Sequence, residues 1–226
     1  MSDSRPVVVT GAGGALGQAV VRVLRDGGSP VVAVDREKSL LDELPADVAR
    51  EEADLSEAEG AERVFDRIAA GSGAPAGLVN TIGIFRGGSV LETTSDALRQ
   101  VMGVNFESAL WASKAVATHM SEAGGGAIVH VAARNGVEAL GGSAAYSVSK
   151  AALVHLVRIL DAELRPNGIR VNAVVPRLID TPANRAAFGP DAMKGAVAPE
   201  AIAGVIAFLM SDAASPVSGG LIPVYG

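Results

Sequence analysis

A doubly wound α/β fold, a parallel sheet with helices on both faces, is predicted by three observations. Short β-branched runs alternate with longer helical patterns along the whole chain, the signature of βαβ units joined by right-handed crossovers. The first three runs are apolar rather than alternating, as strands covered on both faces require. No repeat, low-complexity tract or interdomain linker interrupts the 226 residues, so one domain over residues 1–226 is expected.

The elements follow in order. A strand over Pro6–Thr10 runs into glycine-rich "TGAGGALG" (10–17) and a helix over Ala15–Asp26. Strands over Pro30–Asp35 and Val48–Ala53 precede a helix over Ser56–Ala70. "GSGAPAG" (71–77) turns the chain into a strand over Gly77–Asn80, and "EAGGGA" (122–127) turns a long helix over Ser95–Met120 into a strand over Ala127–Ala132. In both turns glycine supplies the positive-φ positions that end a helix. A helix over Ala144–Leu164, a strand over Ile169–Val174, a helix over Pro199–Met210 and a seventh strand over Gly220–Val224 complete the pattern. The exception is 181–198, "TPANRAAFGPDAMKGAVA", with Pro, Gly and weak periodicity. A loop that long inside a compact domain reads as a lid.

Composition narrows the function classes. The net charge is −6, and no stretch concentrates Lys and Arg, so a broad basic surface for nucleic acid is not expected. The chain has no cysteine, which excludes disulfides and thiolate chemistry and fits a reducing compartment. "MSDSRPVVVTG" enters a strand almost at once, leaving no room for a signal peptide. Every apolar run is broken well before the roughly 18 residues of a membrane span. Mean hydropathy is +0.32, read as a large core plus subunit interfaces. A soluble, cytoplasmic, oligomeric protein acting on a small molecule is the expectation.

Thr10, Gly11, Gly13, Gly14 and Gly17 stand at the first strand-to-helix junction. Bare backbone N–H groups at the positive end of a helix form a pyrophosphate site, and glycines permit the close approach. Leu16 occupies the last position of GxGxxG, so the spacing is TGxxxAxG with Ala15 in the middle small position. Asp35 ends the second strand; a carboxylate there accepts from both adenosine ribose hydroxyls and repels a 2′-phosphate, or merely caps the following helix. It favours NAD, while neighbouring Arg36 leaves NADP open. Asp54 ends the third strand and either binds the adenine amino group or N-caps the helix starting at Ser56. Asn80 ends the fourth strand, where a ligand-facing polar group is expected.

Tyr146 and Lys150 are four residues apart and share one helical face. A free phenol near pKa 10 is a poor acid–base group at neutral pH, and a nearby ammonium favours the phenolate. Downstream of a dinucleotide turn, this pair points to proton transfer coupled to hydride transfer.

With these residues in view, the chain resembles the short-chain dehydrogenase/reductase family. The resemblance is carried by "TGAGGALG" (10–17), Asp35, "DL" (54–55), "NTIG" (80–83), "VN" (104–105), "YSVSK" (146–150), "RVNAVVP" (170–176) and "SGGLIPVYG" (218–226). It implies a seven-stranded Rossmann sheet, a homodimer or homotetramer, and a Tyr146–Lys150 pair with Asn105 supporting a water relay to Lys150. It also implies cofactor contacts at Ala15, Leu16, Leu55, Gly83 and Pro176, with Thr181 on the nicotinamide carboxamide.

Departures from the pattern bear on substrate. The family's serine falls thirteen positions before Tyr146, at Ala133, whose side chain cannot hydrogen-bond. Losing one oxyanion donor typically costs on the order of 10²–10³ in rate. Three explanations are open: a substrate needing less polarisation, a substitute donor, or lost catalysis. Ser143 and Ser147 are near in sequence but at other offsets. Arg177 replaces the glycine usual after Pro176 and meets the pyrophosphate, a substrate anion or solvent. "GGALG", Ala133 and "IDTPANR" (179–185) resemble the quinonoid dihydropteridine reductase branch, where the proton ends on nitrogen.

Arg134 and Arg86 either hold a substrate carboxylate or are solvated. His130 reads as a hydrogen-bonded core histidine. His119 and His155 lack metal-ligand spacing, and no metal is expected. Trp111 reads as core or interface. The alternative to an enzyme, motivated by Ala133, is a dinucleotide-binding sensor or scaffold with little catalysis.

Overall fold

The computed structural model describes residues 4–226; the first three residues of "MSDSRPVVVTG", on which the signal-peptide reading partly fell, lie outside them. Seven parallel strands form one sheet: β1 (Val7–Thr10), β2 (Val31–Asp35), β3 (Ala49–Glu52), β4 (Gly77–Asn80), β5 (Gly126–Val131), β6 (Ile169–Pro176) and β7 (Leu221–Val224). Their order is β3-β2-β1-β4-β5-β6-β7. Strand order reverses between β1 and β4, so the crevice outside their carboxyl ends is the expected binding place.

Two cores lie on either side of the sheet. In β1, Val8 faces one core with Phe65, Ile68 and Leu153. Val7 and Val9 face the other with Val20, Ile202 and Ile206. Successive side chains of one strand point to opposite faces, which is why the strand must be apolar throughout. The first core is roofed by α3 (Ala58–Ser72), α5 (Ser108–Glu122) and α6 (Ala144–Leu164), the second by α1 (Ala15–Asp26) and α8 (Pro199–Met210). Among the described residues no helix is long and apolar enough to cross a membrane.

Several expectations need correction. β3 reads AREE and is partly to fully exposed, because it is the sheet edge and has a neighbour on one side only; the apolar-run reading holds for β1 and β2. A one-turn helix, α2 (Lys38–Leu41), was too short to show periodicity. The long helix expected over 95–120 is three pieces: α4 (Ser95–Met102), a π-helical turn at Gly103–Glu107, and α5. The Ser108 N–H bonds back to the Gly103 carbonyl, and such π turns inside helices recur at functional sites. Within 181–198 the chain forms α7 (Pro182–Ala192), broken at Gly189 (φ 72°, ψ 171°) ahead of Pro190. The break cuts its periodicity into lengths too short to recognise.

Candidate active site

Gly11, at φ 72°, turns the chain from β1 toward α1. A Cβ at Gly17 would lie 2.1 Å from the Gly11 carbonyl oxygen, so the helix can seat against the turn only without a side chain there. Gly14 precedes α1 with no side-chain cap; the first N–H groups of a helix lack intrahelical partners and here open on the cleft lined by Gly14, Ala15, Leu16 and Gly17. This uncapped helix end, together with the absent Cβ atoms, fits a dinucleotide pyrophosphate.

Asp35 ties the turn to the adenosine side. One carboxylate oxygen accepts from Gly13 N–H at 3.0 Å, the other from Glu37 N–H at 3.2 Å. A carboxylate has about four acceptor sites, so capacity remains for ribose hydroxyls. The residue before α2 is Glu37, without a side-chain cap, so Asp35 does not cap that helix. A recess of about 450 Å³ is lined by Asp35, Arg36, Asp54, Leu55, Ile82 and Gly83 among others. Asp54 is not the N-cap of α3, a position held by Glu57. Its carboxylate accepts from Ser56 N–H at 2.9 Å, and that bond holds its pKa below the usual range. Arg36 makes a loose, exposed ion pair with Glu37 at 3.9 Å.

Two expected ligand contacts are turned inward. Thr10 is fully buried and Asn80 nearly so, and Thr10 Oγ1 donates to Asn80 Oδ1 at 2.7 Å. Their side chains brace the β1–β4 pair instead of facing a ligand, and Thr81, which sequence reading passed over, lines both recesses in their place. Its hydroxyl donates to the Thr10 and Gly11 carbonyls at 2.8 and 3.0 Å.

The buried chain continues from Asn80. Asn80 Nδ2 lies 3.3 Å from His130 Nδ1, and His130 Nε2 lies 3.1 Å from Ser113 Oγ, which donates to the Ala109 carbonyl at 2.7 Å. Since Ser113 spends its proton on Ala109, His130 donates from Nε2 and accepts at Nδ1. Burial, helped by the Lys150 charge, pulls His130 down to about 3, so it stays neutral in the fold. The unfolded chain takes up this proton near pH 6.5. Stability from this group is therefore complete above about 6.5 and is lost as pH falls toward about 3. Unfolding midpoints measured from pH 7 to 4 should fall more steeply in the wild type than in His130→Gln; parallel slopes would remove His130 as the cause.

On the reaction side, Tyr146 and Lys150 in α6 share with Ala133, Pro176, Arg177 and Thr181 a cleft of about 750 Å³. Lys150 Nζ donates to the Val131 carbonyl at 2.9 Å, at the end of β5. Burial lowers its pKa to about 8. A Cβ at Gly83 would sit 3.1 Å from that Nζ, so glycine keeps the ammonium's surroundings open. Tyr146 departs from expectation: burial pushes its phenol up to about 12, with no offsetting pull from Lys150, whose ammonium is engaged by Val131. The ring of Tyr146 meets Phe85 edge-on at 5.0 Å between centroids, and Phe85 meets Phe188 of α7 at 5.3 Å. These phenylalanines couple the tyrosine to the 181–198 segment, a contact between distant stretches that no local pattern announces.

Asn105 sits in the π turn, fully buried. Its Oδ1 accepts from Ile84 N–H at 2.8 Å, and its Nδ2 donates to the Ile84 carbonyl and to Ser149 Oγ at 3.1 and 2.9 Å. Its side chain thus fixes the loop after β4, with no direct hydrogen bond to Lys150 among the described residues. Arg134 is drawn away from the cleft, with its Nε on Glu138 at 2.8 Å and its guanidinium over Tyr225. Arg86 is held by Gln100 at 3.0 and 2.6 Å. Arg177 does line the cleft and donates to the Lys194 carbonyl at 3.1 Å. Thr181 N-caps α7 through Asn184 N–H and also lines the cleft.

The enoyl-(acyl carrier protein) reductase family model matches residues 11–226. A meso-2,3-butanediol dehydrogenase of Serratia marcescens is 33% identical, covering 99% of this chain and 94% of the relative. A galactitol 2-dehydrogenase of Rhizobium johnstonii is 34% identical over 98% and 94%. The solved short-chain type dehydrogenase/reductase of Mycobacterium ulcerans superposes with a TM-score of 0.90 at 27% identity, covering 97% and 88%.

Proposed function

The chain belongs to the short-chain dehydrogenase/reductase family of NAD(P)-dependent oxidoreductases, and on that premise we propose that it interconverts a small secondary alcohol and its ketone, with Tyr146 carrying the proton. The observation that carries this reading is the shared cleft. Tyr146, Lys150 and the uncapped start of α1 open on one space at the carboxyl end of the sheet. The substrate class draws on the alcohol dehydrogenases to which the chain is similar.

When bound, a nicotinamide dinucleotide supplies or accepts the hydride. The chain's own part is the proton and the geometry. In reduction Tyr146 gives its phenolic proton to the substrate oxygen as the adjacent carbon becomes a carbinol; in oxidation the phenolate takes it back. A phenol near 12 is fully protonated at neutral pH and ready to donate. Its basic form grows about tenfold per pH unit, so alcohol oxidation should climb steadily from pH 7 to 10 while ketone reduction stays level over the lower part of that range. A bell centred near neutrality for oxidation would contradict this assignment. Asn105 holds the Ile84 backbone in place, next to the Phe85 that packs against the Tyr146 ring.

Asp35 supports NAD over NADP, since a carboxylate at the end of the second strand accepts from ribose hydroxyls and repels a 2′-phosphate. Asp35→Ser is expected to shift the NADH-to-NADPH affinity ratio by about 10–100-fold toward NADPH, read by fluorescence titration; an unchanged ratio would move selectivity to Arg36. The cysteine-free composition supports a cytoplasmic location. Exposed Val148, Ile159 and Phe208 support assembly into dimers or tetramers, which light scattering decides.

Ala133 favours a second reading, reduction of a quinonoid pterin or related C=N compound. Turnover of 2,3-butanedione, cyclic ketones and quinonoid dihydropterin with NADH separates the two. Pterin-only turnover would replace the ketone reading, and no turnover beside tight NADH binding would favour a sensor.

A further inference from the structure

We infer that Ser143 supplies the hydrogen bond to the substrate oxygen that Ala133 cannot. This rests on the alcohol–ketone reading above. Ser143 is the residue before α6, three positions before Tyr146 and seven before Lys150, and all three line the cleft with Ala133. Ser143 is 3% exposed, so its hydroxyl is held in one environment. Main-chain contacts fix it there: Gly88 bridges Ser143, and the Ala144 N–H donates to the Gly88 carbonyl at 2.9 Å.

The hydrogen bonds around that hydroxyl decide where its proton goes. A serine hydroxyl has one proton and two lone pairs. Asn135 Nδ2 donates to Ser143 Oγ at 3.0 Å, and Ser147 Oγ lies 3.2 Å away. Either hydroxyl can donate in that contact; with Ser147 as the donor, its proton fills the second lone pair of Ser143. Both lone pairs of Ser143 are then occupied, and the remaining proton is left for the cleft. A hydroxyl that accepts two hydrogen bonds is polarised into a stronger donor. Asn135 lies two residues beyond Ala133 in the turn after β5 and itself lines the cleft. The segment that lacks the serine therefore carries the amide that orients its replacement. Ser143 makes no side-chain cap of α6, so its hydroxyl is not committed to holding the helix.

The test measures NADH-dependent reduction of the best ketone from the panel above by four proteins: wild type, Ser143→Ala, Ser143→Thr, and Ser143→Ala combined with Ala133→Ser. Ser143→Ala is expected to lower kcat on the order of 10²-fold with NADH affinity and melting temperature little changed. Ser143→Thr keeps the hydroxyl and should recover most of the rate. The added serine at 133 should restore activity to the double variant, which a purely structural role for Ser143 would not allow. Unchanged kcat in Ser143→Ala, or no rescue by Ala133→Ser, overturns the inference. Tyr146→Phe run alongside separates the two levels: its loss of activity with Ser143→Ala intact sinks only the inference. Activity surviving Tyr146→Phe, or no ketone turned over by the wild type, sinks the underlying reading as well.

Discussion

Tyr146→Phe is expected to lower turnover by about 10²–10⁴-fold in both directions while leaving NADH affinity within a few-fold of wild type. The change removes one oxygen and nothing else. The ring keeps its edge-on contact with Phe85, and the phenol makes no hydrogen bond that the fold depends on among those of the described residues. Stability should stay nearly level, because at neutral pH the phenol is uncharged in both the folded and the unfolded chain. Steady-state kinetics beside a fluorescence titration of NADH settle the matter. Equal turnover by the variant would mean that the proton comes from water or from Lys150, whose pKa near 8 puts it within reach of such a role.

Gly17→Ala carries the second large effect, on the cofactor side. The added methyl would meet the Gly11 carbonyl oxygen at 2.1 Å and the Ala12 Cα at 2.7 Å. Both are backbone atoms, so no rotamer change relieves the contact and the turn itself must move away from α1. Overpacking of this kind costs about 1–3 kcal/mol, which in a chain of this size lowers the melting temperature by roughly 2–12 °C. Dinucleotide affinity should fall further than stability does, by about tenfold or more, since the displaced turn carries the N–H groups meant for the pyrophosphate. Calorimetric unfolding with and without NADH measures both. If the variant kept full NADH affinity and melting temperature, the close approach of turn and helix would not matter to binding.

Sequence was informative where the physics is local. Alternation of apolar runs with helical periods is written residue by residue, and α1, α6 and α8 fall at the bounds that periodicity predicts. The glycine turn and the Tyr146–Lys150 spacing are likewise short-range: backbone close approach and one helical turn each need only a few neighbouring residues. Edge exposure in β3 is different, because an edge is defined by which strand lies beyond it. So is the break at Gly189, whose flanking helical pieces are each too short to carry a period.

Read alone, the sequence determined the fold class, the glycine turn between the first strand and helix, the place of Asp35 at the end of β2 and the Tyr146–Lys150 spacing on one helix, since each depends on residue type and spacing along a few turns of chain. The tertiary structure decided which polar side chains look into the cleft and which are consumed in holding it. Thr10 and Asn80 turned inward to His130, and Arg134 was taken by Glu138 and Tyr225. Asn135 meanwhile came to face Ser143 across eight residues. A side chain's direction is settled by competition among partners brought together from distant segments, and burial then sets the charge it can carry. Tyr146 near 12 and Lys150 near 8 are properties of that enclosure, which four-residue spacing cannot express.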